Sequence, residues 1–245
     1  SLYGEKFEDL IPRDEDVRDL DVLVVDLQDV GARYYTFVWT ALLALRVTSR
    51  LGVRMLVLDR PNPIGCADDA IEGKLQDEPY CSFVGLVPIP IRHALTLGEI
   101  LAWRAKEEKL EGLAIAGVRG LEAAADARAW DRAFVLPSPN MPTFDTALVY
   151  PGGCLLEGTN LSEGRGCTRP FEIFGAPWID GERLAREYAA SGCQGAIARP
   201  LTFRPTFHKH GGQNCGGVQV HVTDARAFRP VASYLALVTL ARAQD

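Results

Sequence analysis

The chain has 245 residues, 47% hydrophobic and 24% charged, which is enough to bury a sizeable core as one large domain or two smaller ones. Its 26 basic side chains against 32 acidic ones leave a net charge of −6, so there is no basic excess to hold a phosphate backbone and nucleic acid is not an expected partner. No apolar run approaches the roughly 18 residues of a membrane helix, so no transmembrane segment is expected.

DVLVVDL at 21–27 is a short continuous apolar run that ends in a carboxylate, and VRMLVLD at 53–59 repeats the design after an apolar helical segment at 36–51. Strand, helix, strand at this spacing predicts a βαβ unit in a parallel sheet buried on both faces, with Gly52 just past the helix end. Thr96-Leu97-Gly98-Glu99 is a capping-box signature ahead of the amphipathic ILAWRAKEEKL, and GLAIAGV at 112–118 reads as the next strand. A proline-rich turn at 137–142 marks a change of lobe. Beyond it a helix at 180–190 closes at Gly192, a strand runs near 196–203, and GVQVHV at 217–222 alternates Val218, Val220 and Val222 with polar positions. Pro230 suits the first position of a last helix ending near residue 243. The expected architecture is α/β: a Rossmann-like parallel-sheet lobe over 1–142, then a smaller α/β lobe over 143–245.

Asp26 and Asp59 each close a strand, and in open α/β sheets ligands bind beyond the strands' carboxyl ends. That places Asp29, Arg33, Asp59 and Asn62 near one mouth. The plainer reading pairs Asp29 with Arg33 and Asp59 with Arg60 to fix turns, or gives Asp59 a turn to cap; strand-end loops host both kinds of role. Tyr34 and Tyr35 face opposite ways in an extended segment, one into the core and one toward a ligand. His93 is a candidate acid or base, or a satisfied structural group.

The densest polar stretch is EGTNLSEGRGCTRPFE at 157–172, which sets Glu157, Glu163 and Glu172 among Asn160, Arg165, Arg169 and glycines. Acid–base chemistry pairs a proton donor of raised pKa with a nucleophile or base, and Glu157, Glu163 and Glu172 are the densest supply of carboxyl groups. Each has an alternative role as an ion-pair partner of Arg165 or Arg169. His208 and His210 with Cys215 make only a weak metal pattern. The six cysteines include no Cys-x-x-Cys and read as free thiols. With no G-x-G-x-x-G after a strand, no P-loop and no H-E-x-x-H, no cofactor is expected.

The 157–172 run, with QDVGARYYT at 28–36, RPNP at 60–63, SFVG at 82–85 and PSPNMPT at 137–143, resembles the NamZ family of exo-β-N-acetylmuramidases over nearly the whole chain; Cys167 departs from the Thr expected there. The resemblance implies hydrolytic release of terminal β-linked N-acetylmuramic acid from the non-reducing end of peptidoglycan-derived glycans, a substrate class that favours a periplasmic or secreted enzyme. It also implies about a hundred further residues upstream, including a Glu-His-Gly motif. On that basis Glu163, Asp29 and Glu172 are the candidate catalytic carboxyls. Arg33, Arg165 and Arg169 are candidates to grip the sugar's lactyl carboxylate. Asn62, Asn140 and Asn160 suit its acetamido and hydroxyl groups, and Tyr35, Asp59 and His93 complete the expected lining. The alternatives are a cell-wall glycan-binding module without catalysis and a nucleotide-handling Rossmann enzyme, the latter disfavoured by the missing glycine fingerprint. No pattern in the sequence sets the oligomeric state.

Overall fold

A computed structural model describes Gly4, residues 7–120, Glu122 and residues 124–245. The chain divides into two compact units, Ser1–Asp131 and Arg132–Asp245.

The first unit is a parallel sheet in the order β1 (Val22–Val25), β2 (Arg54–Leu58), β3 (Leu113–Ala116). A short helix α1 (Asp14–Val17) precedes it, α2 (Phe37–Leu51) connects β1 to β2, and α3 (Leu97–Glu108) leads into β3. The apolar run of α2 makes it a helix, and Gly52, at φ 71°, ends it in the left-handed conformation that a side chain would strain. The capping box of α3 is complete: the Glu99 amide donates to the Thr96 hydroxyl at 3.1 Å and the Thr96 amide to the Glu99 carboxylate at 2.8 Å.

One face of this sheet carries Leu23, Val25, Met55, Val57 and Leu113, which join Val38, Trp39, Leu42, Leu45, Ile100 and Leu101 of α2 and α3 in one apolar cluster. The opposite face does not match the expectation of cover on both sides: Val22, Val24 and Leu58 stand 37, 49 and 38% exposed. A continuous apolar run shows that both faces of a strand are greasy, but not that both are packed. Here α2 and α3 fill a single side.

The second unit holds an antiparallel sheet in the order β4 (Ile173–Ala176), β6 (Cys215–Val222), β5 (Ala196–Phe203). It is joined by α4 (Phe144–Gly153), α5 (Gly181–Ala189) and α6 (Pro230–Arg242), with α4 lying on α6 and α5 on β5. Val218 and Val220 face inward as their alternation requires. Gly175, Gly216 and Gly217 let backbone cross backbone, since a Cβ on Gly216 would run into the Ile179 carbonyl and one on Gly217 into that of Phe174. All six cysteines are free.

Candidate active site

In the first unit the loops after β1 and β2 and the segment before α3 meet at the carboxyl ends of the strands. Asp29 is 4% exposed, and its Oδ2 accepts the Gly31 amide at 2.8 Å. Gly31, at φ 77°, lacks the side chain that would collide with Asn62. The Asn62 amide then ties the loops together, accepting from the Ile64 amide and donating to the Leu95 carbonyl, each at 3.1 Å.

His93 is buried beside them. Its Nδ1 accepts the Leu95 amide at 3.2 Å, so the neutral ring carries its proton on Nε2, 3.6 Å from Asp29 Oδ2. Burial pushes the Asp29 carboxyl up to about 7 and the His93 imidazole down to about 4. Between those values the contact joins a neutral acid to a neutral base and is not an ion pair.

Asp59 sits at the edge of an open pocket lined by Arg60, Asn62, Cys66, Thr96 and Glu99. Its carboxylate accepts the Thr96 hydroxyl at 2.6 Å and the Gly98 amide at 2.8 Å, so it secures the start of α3; burial raises its pKa. Neither ion pair suggested by sequence proximity forms here, because Arg60 reaches across to Asp26 at 2.6 Å and Arg33 turns inward. The Arg33 guanidinium donates to the Ile89 carbonyl at 2.7 Å and the Lys74 carbonyl at 3.1 Å, while its backbone carbonyl accepts from Trp39. These bonds tie the 74 and 89 segments to the loop that carries Arg33. Tyr35, 8% exposed and edge-on to Phe37, belongs to the core; Tyr34, under the Arg33 guanidinium, is the more open of the two.

In the second unit the glycine-rich run folds around two buried carboxylates. Glu172, 3% exposed, accepts the Thr146 hydroxyl at 2.6 Å and the Thr143 hydroxyl at 3.2 Å; Thr143 also caps α4 and accepts from Arg169 at 3.1 Å. Arg169 Nη1 stands 3.6 Å from Glu172 and the side chain is 40% exposed. Glu163 is wholly buried. His208 Nδ1 at 2.9 Å, Arg165 Nε at 3.2 Å and Lys209 Nζ at 3.3 Å converge on its oxygens, yet none of these contacts is aligned as a hydrogen bond. Arg165 also pairs with Glu157 and lies over the Phe171 ring. Gly164 and Gly166, at φ 76° and 82°, let this loop fold back against the Ile173 carbonyl and the 206–207 backbone. Asn160 is exposed, its carbonyl bonded to the His210 ring at 2.7 Å. Asn140 is half-buried in the turn that precedes α4.

Of the expected residues, the fold therefore gathers Asp29, Asn62, Asp59 and His93 at the strand ends of the first unit, and Glu163, Glu172, Arg165, Arg169 and Asn160 around the glycine-rich loop of the second. His208 and Lys209, which flank Glu163, were not among them. His208 had drawn attention only as a weak metal ligand with His210 and Cys215, and among the described residues no group of His, Cys, Asp and Glu has the geometry to hold a metal ion. Chemically the first unit offers a carboxyl able to give a proton near neutral pH, and the second a buried carboxylate ringed by cations.

Residues 1–145 match the family model described as exo-beta-N-acetylmuramidase NamZ, N-terminal, and residues 148–245 the corresponding C-terminal model. The chain is 41% identical over 239 residues to the peptidoglycan beta-N-acetylmuramidase NamZ of Bacillus subtilis (strain 168), covering 97% of this chain and 56% of that relative. Two crystal structures of DUF1343 family proteins from Bacteroides fragilis NCTC 9343 share the fold. One has a TM-score of 0.89 at 31% identity, covering 99% of this chain and 63% of its own; the other has a TM-score of 0.71 at 26% identity, covering 96% and 71%. The chain thus spans a little over half the length of its curated relative.

Proposed function

Since the chain belongs to the NamZ exo-β-N-acetylmuramidase family, we propose that it serves the hydrolytic release of terminal β-linked N-acetylmuramic acid from the non-reducing end of peptidoglycan fragments. The observation that carries this reading is the match of both family halves end to end, with 41% identity to a protein named for that activity. The carboxyls support it. Asp29, raised to about 7 by burial, is suited to be the proton donor. Glu163 and Glu172 are the carboxylates of the second unit, Glu172 held by two threonine hydroxyls. Arg169, with a 40% exposed side chain, and Arg165 are the guanidinium groups for the lactyl carboxylate. In the first unit Asp59 and Asn62 line an open pocket, with His93 buried beside them; in the second, Asn160 is exposed and Asn140 half-buried.

The test is release of a phenol from an aryl β-N-acetylmuraminide by the natural full-length protein, with the matching N-acetylglucosaminide as control. Turnover of the muraminide with little of the control supports the reading. Binding of N-acetylmuramic acid without release, read as a thermal shift, would instead favour a glycan-binding module.

A further inference from the structure

Glu163 has no exposed surface, whereas the side chain of His208, whose Nδ1 lies 2.9 Å away, is 49% exposed. A sugar or a water molecule can reach the imidazole and cannot reach the carboxylate. We propose that His208 is the group of this unit that faces the sugar and accepts a proton, and that Glu163 is the positioning residue that orients it; this rests on the muramidase reading.

Glu163 and Glu157 face Arg165 and Lys209, two negative groups against two positive ones. With Glu163 beside Nδ1, the neutral ring carries its proton on that nitrogen and keeps its lone pair on Nε2. This is the arrangement by which a buried carboxylate sets the tautomer of a catalytic histidine. Contacts of this kind tighten when a substrate fixes the ring.

The loop is built to hold the ring there. His208 and His210 have φ of 67° and 56°, a left-handed conformation that strains a side-chain-bearing residue and persists where surrounding contacts impose it. Those contacts are present. The Thr206 hydroxyl donates to the Gly166 carbonyl at 3.0 Å, Lys209 Nζ to the Leu156 and Glu157 carbonyls at 2.9 and 3.1 Å, and the Arg204 guanidinium to the Gly212 carbonyl at 2.7 Å. His210 is held between Asn160 and the Trp178 ring.

The step balances on an aryl glycoside. Nε2 takes a proton from water as the water oxygen bonds to the anomeric carbon. The electron pair of the breaking glycosidic bond leaves with the phenolate, giving sugar, phenolate and imidazolium. An alkoxide leaving group needs an acid as well, so the aryl substrate isolates the histidine.

The experiment compares the full-length protein with its His208→Gln and Glu163→Gln variants on an aryl β-N-acetylmuraminide across pH, together with the tautomer of His208 in the unaltered protein by 15N NMR. His208→Gln should lower kcat about 100-fold or more with KM little changed, and should remove the fall in kcat at acid pH. Adding Glu163→Gln to it should cost little more, since the two act as one unit. The neutral ring should be protonated on Nδ1. Unchanged kcat and pH profile in His208→Gln would overturn the assignment while leaving the muramidase reading intact. If the unaltered protein cleaves no muraminide, the muramidase reading falls and the tautomer decides the geometry, with a proton on Nε2 counting against it.

Discussion

Asp29 and Glu163 are both buried carboxyls in strand-end or glycine-rich loops, and the two units stabilise them in opposite ways. Asp29 has the backbone amides of Gly31 and Val30 and a neutral histidine, and burial drives its pKa to about 7. Glu163 has a guanidinium, an ammonium and an imidazole within 3.3 Å. A carboxyl without cations holds its proton; a carboxylate ringed by them organises its neighbours. The first arrangement yields a proton donor, the second a scaffold, and burial alone does not tell them apart.

The largest expected effect comes from removing the centre of the scaffold. Glu163→Ala leaves Arg165 and Lys209 without their shared buried partner and should destabilise the second unit by about 3–5 kcal/mol in urea unfolding. A loss below about 1 kcal/mol would mean that water already serves those cations, and the contrast with Asp29 would collapse.

Asp29 tests the other side through pH. Its folded pKa lies above the ordinary carboxylate value, so its contribution to stability is complete below about pH 4 and is lost as pH rises through about 7. The folded pKa of His93 is depressed, so its contribution is complete above about pH 6.5 and is lost as pH falls through about 4. Between these limits the two slopes oppose each other. Asp29→Asn removes one, and the stability of the first unit should then rise with pH by about 3 kcal/mol from pH 4 to 6.5. A flat profile in the variant would show that His93 is not desolvated as the structure has it.

Arg165→Lys keeps the charge but loses the planar fork and its place over Phe171, and should cost about 1–2 kcal/mol. Equal stability would reduce the cluster to simple charge balance. The smallest effect belongs to the exposed pair Arg60–Asp26, with side chains 41 and 46% exposed. Arg60→Ala should change stability by less than about 1 kcal/mol, a baseline against which the buried sites are read.

The strands at 22–25, 54–58 and 113–116 were legible because each is an apolar run between turn residues, and α3 because Thr96 and Glu99 sit three apart. What covers the sheet was not legible, since an apolar strand carries no record of the layer above it. The Glu163 site was half legible. Its glutamates, arginines and glycines stand together in sequence, whereas His208 and Lys209 arrive from a loop more than forty residues later, held by backbone conformations that no histidine advertises. The burial of Arg33 and Tyr35 was not legible for a related reason: polar character at a strand mouth does not reveal which way a side chain turns, and here both lie inward under the loops.

The crossing of backbones at Gly175, Gly216 and Gly217 bears on how this family can diverge. At most surface positions a change of residue alters only what solvent meets, but at these three even one added carbon meets a carbonyl oxygen of adjacent backbone. The charged loop shares the constraint, since a Cβ on Gly164 would meet the Ile173 carbonyl. The narrow tolerances of the second unit therefore lie at its smallest residues, which admit hydrogen and nothing larger.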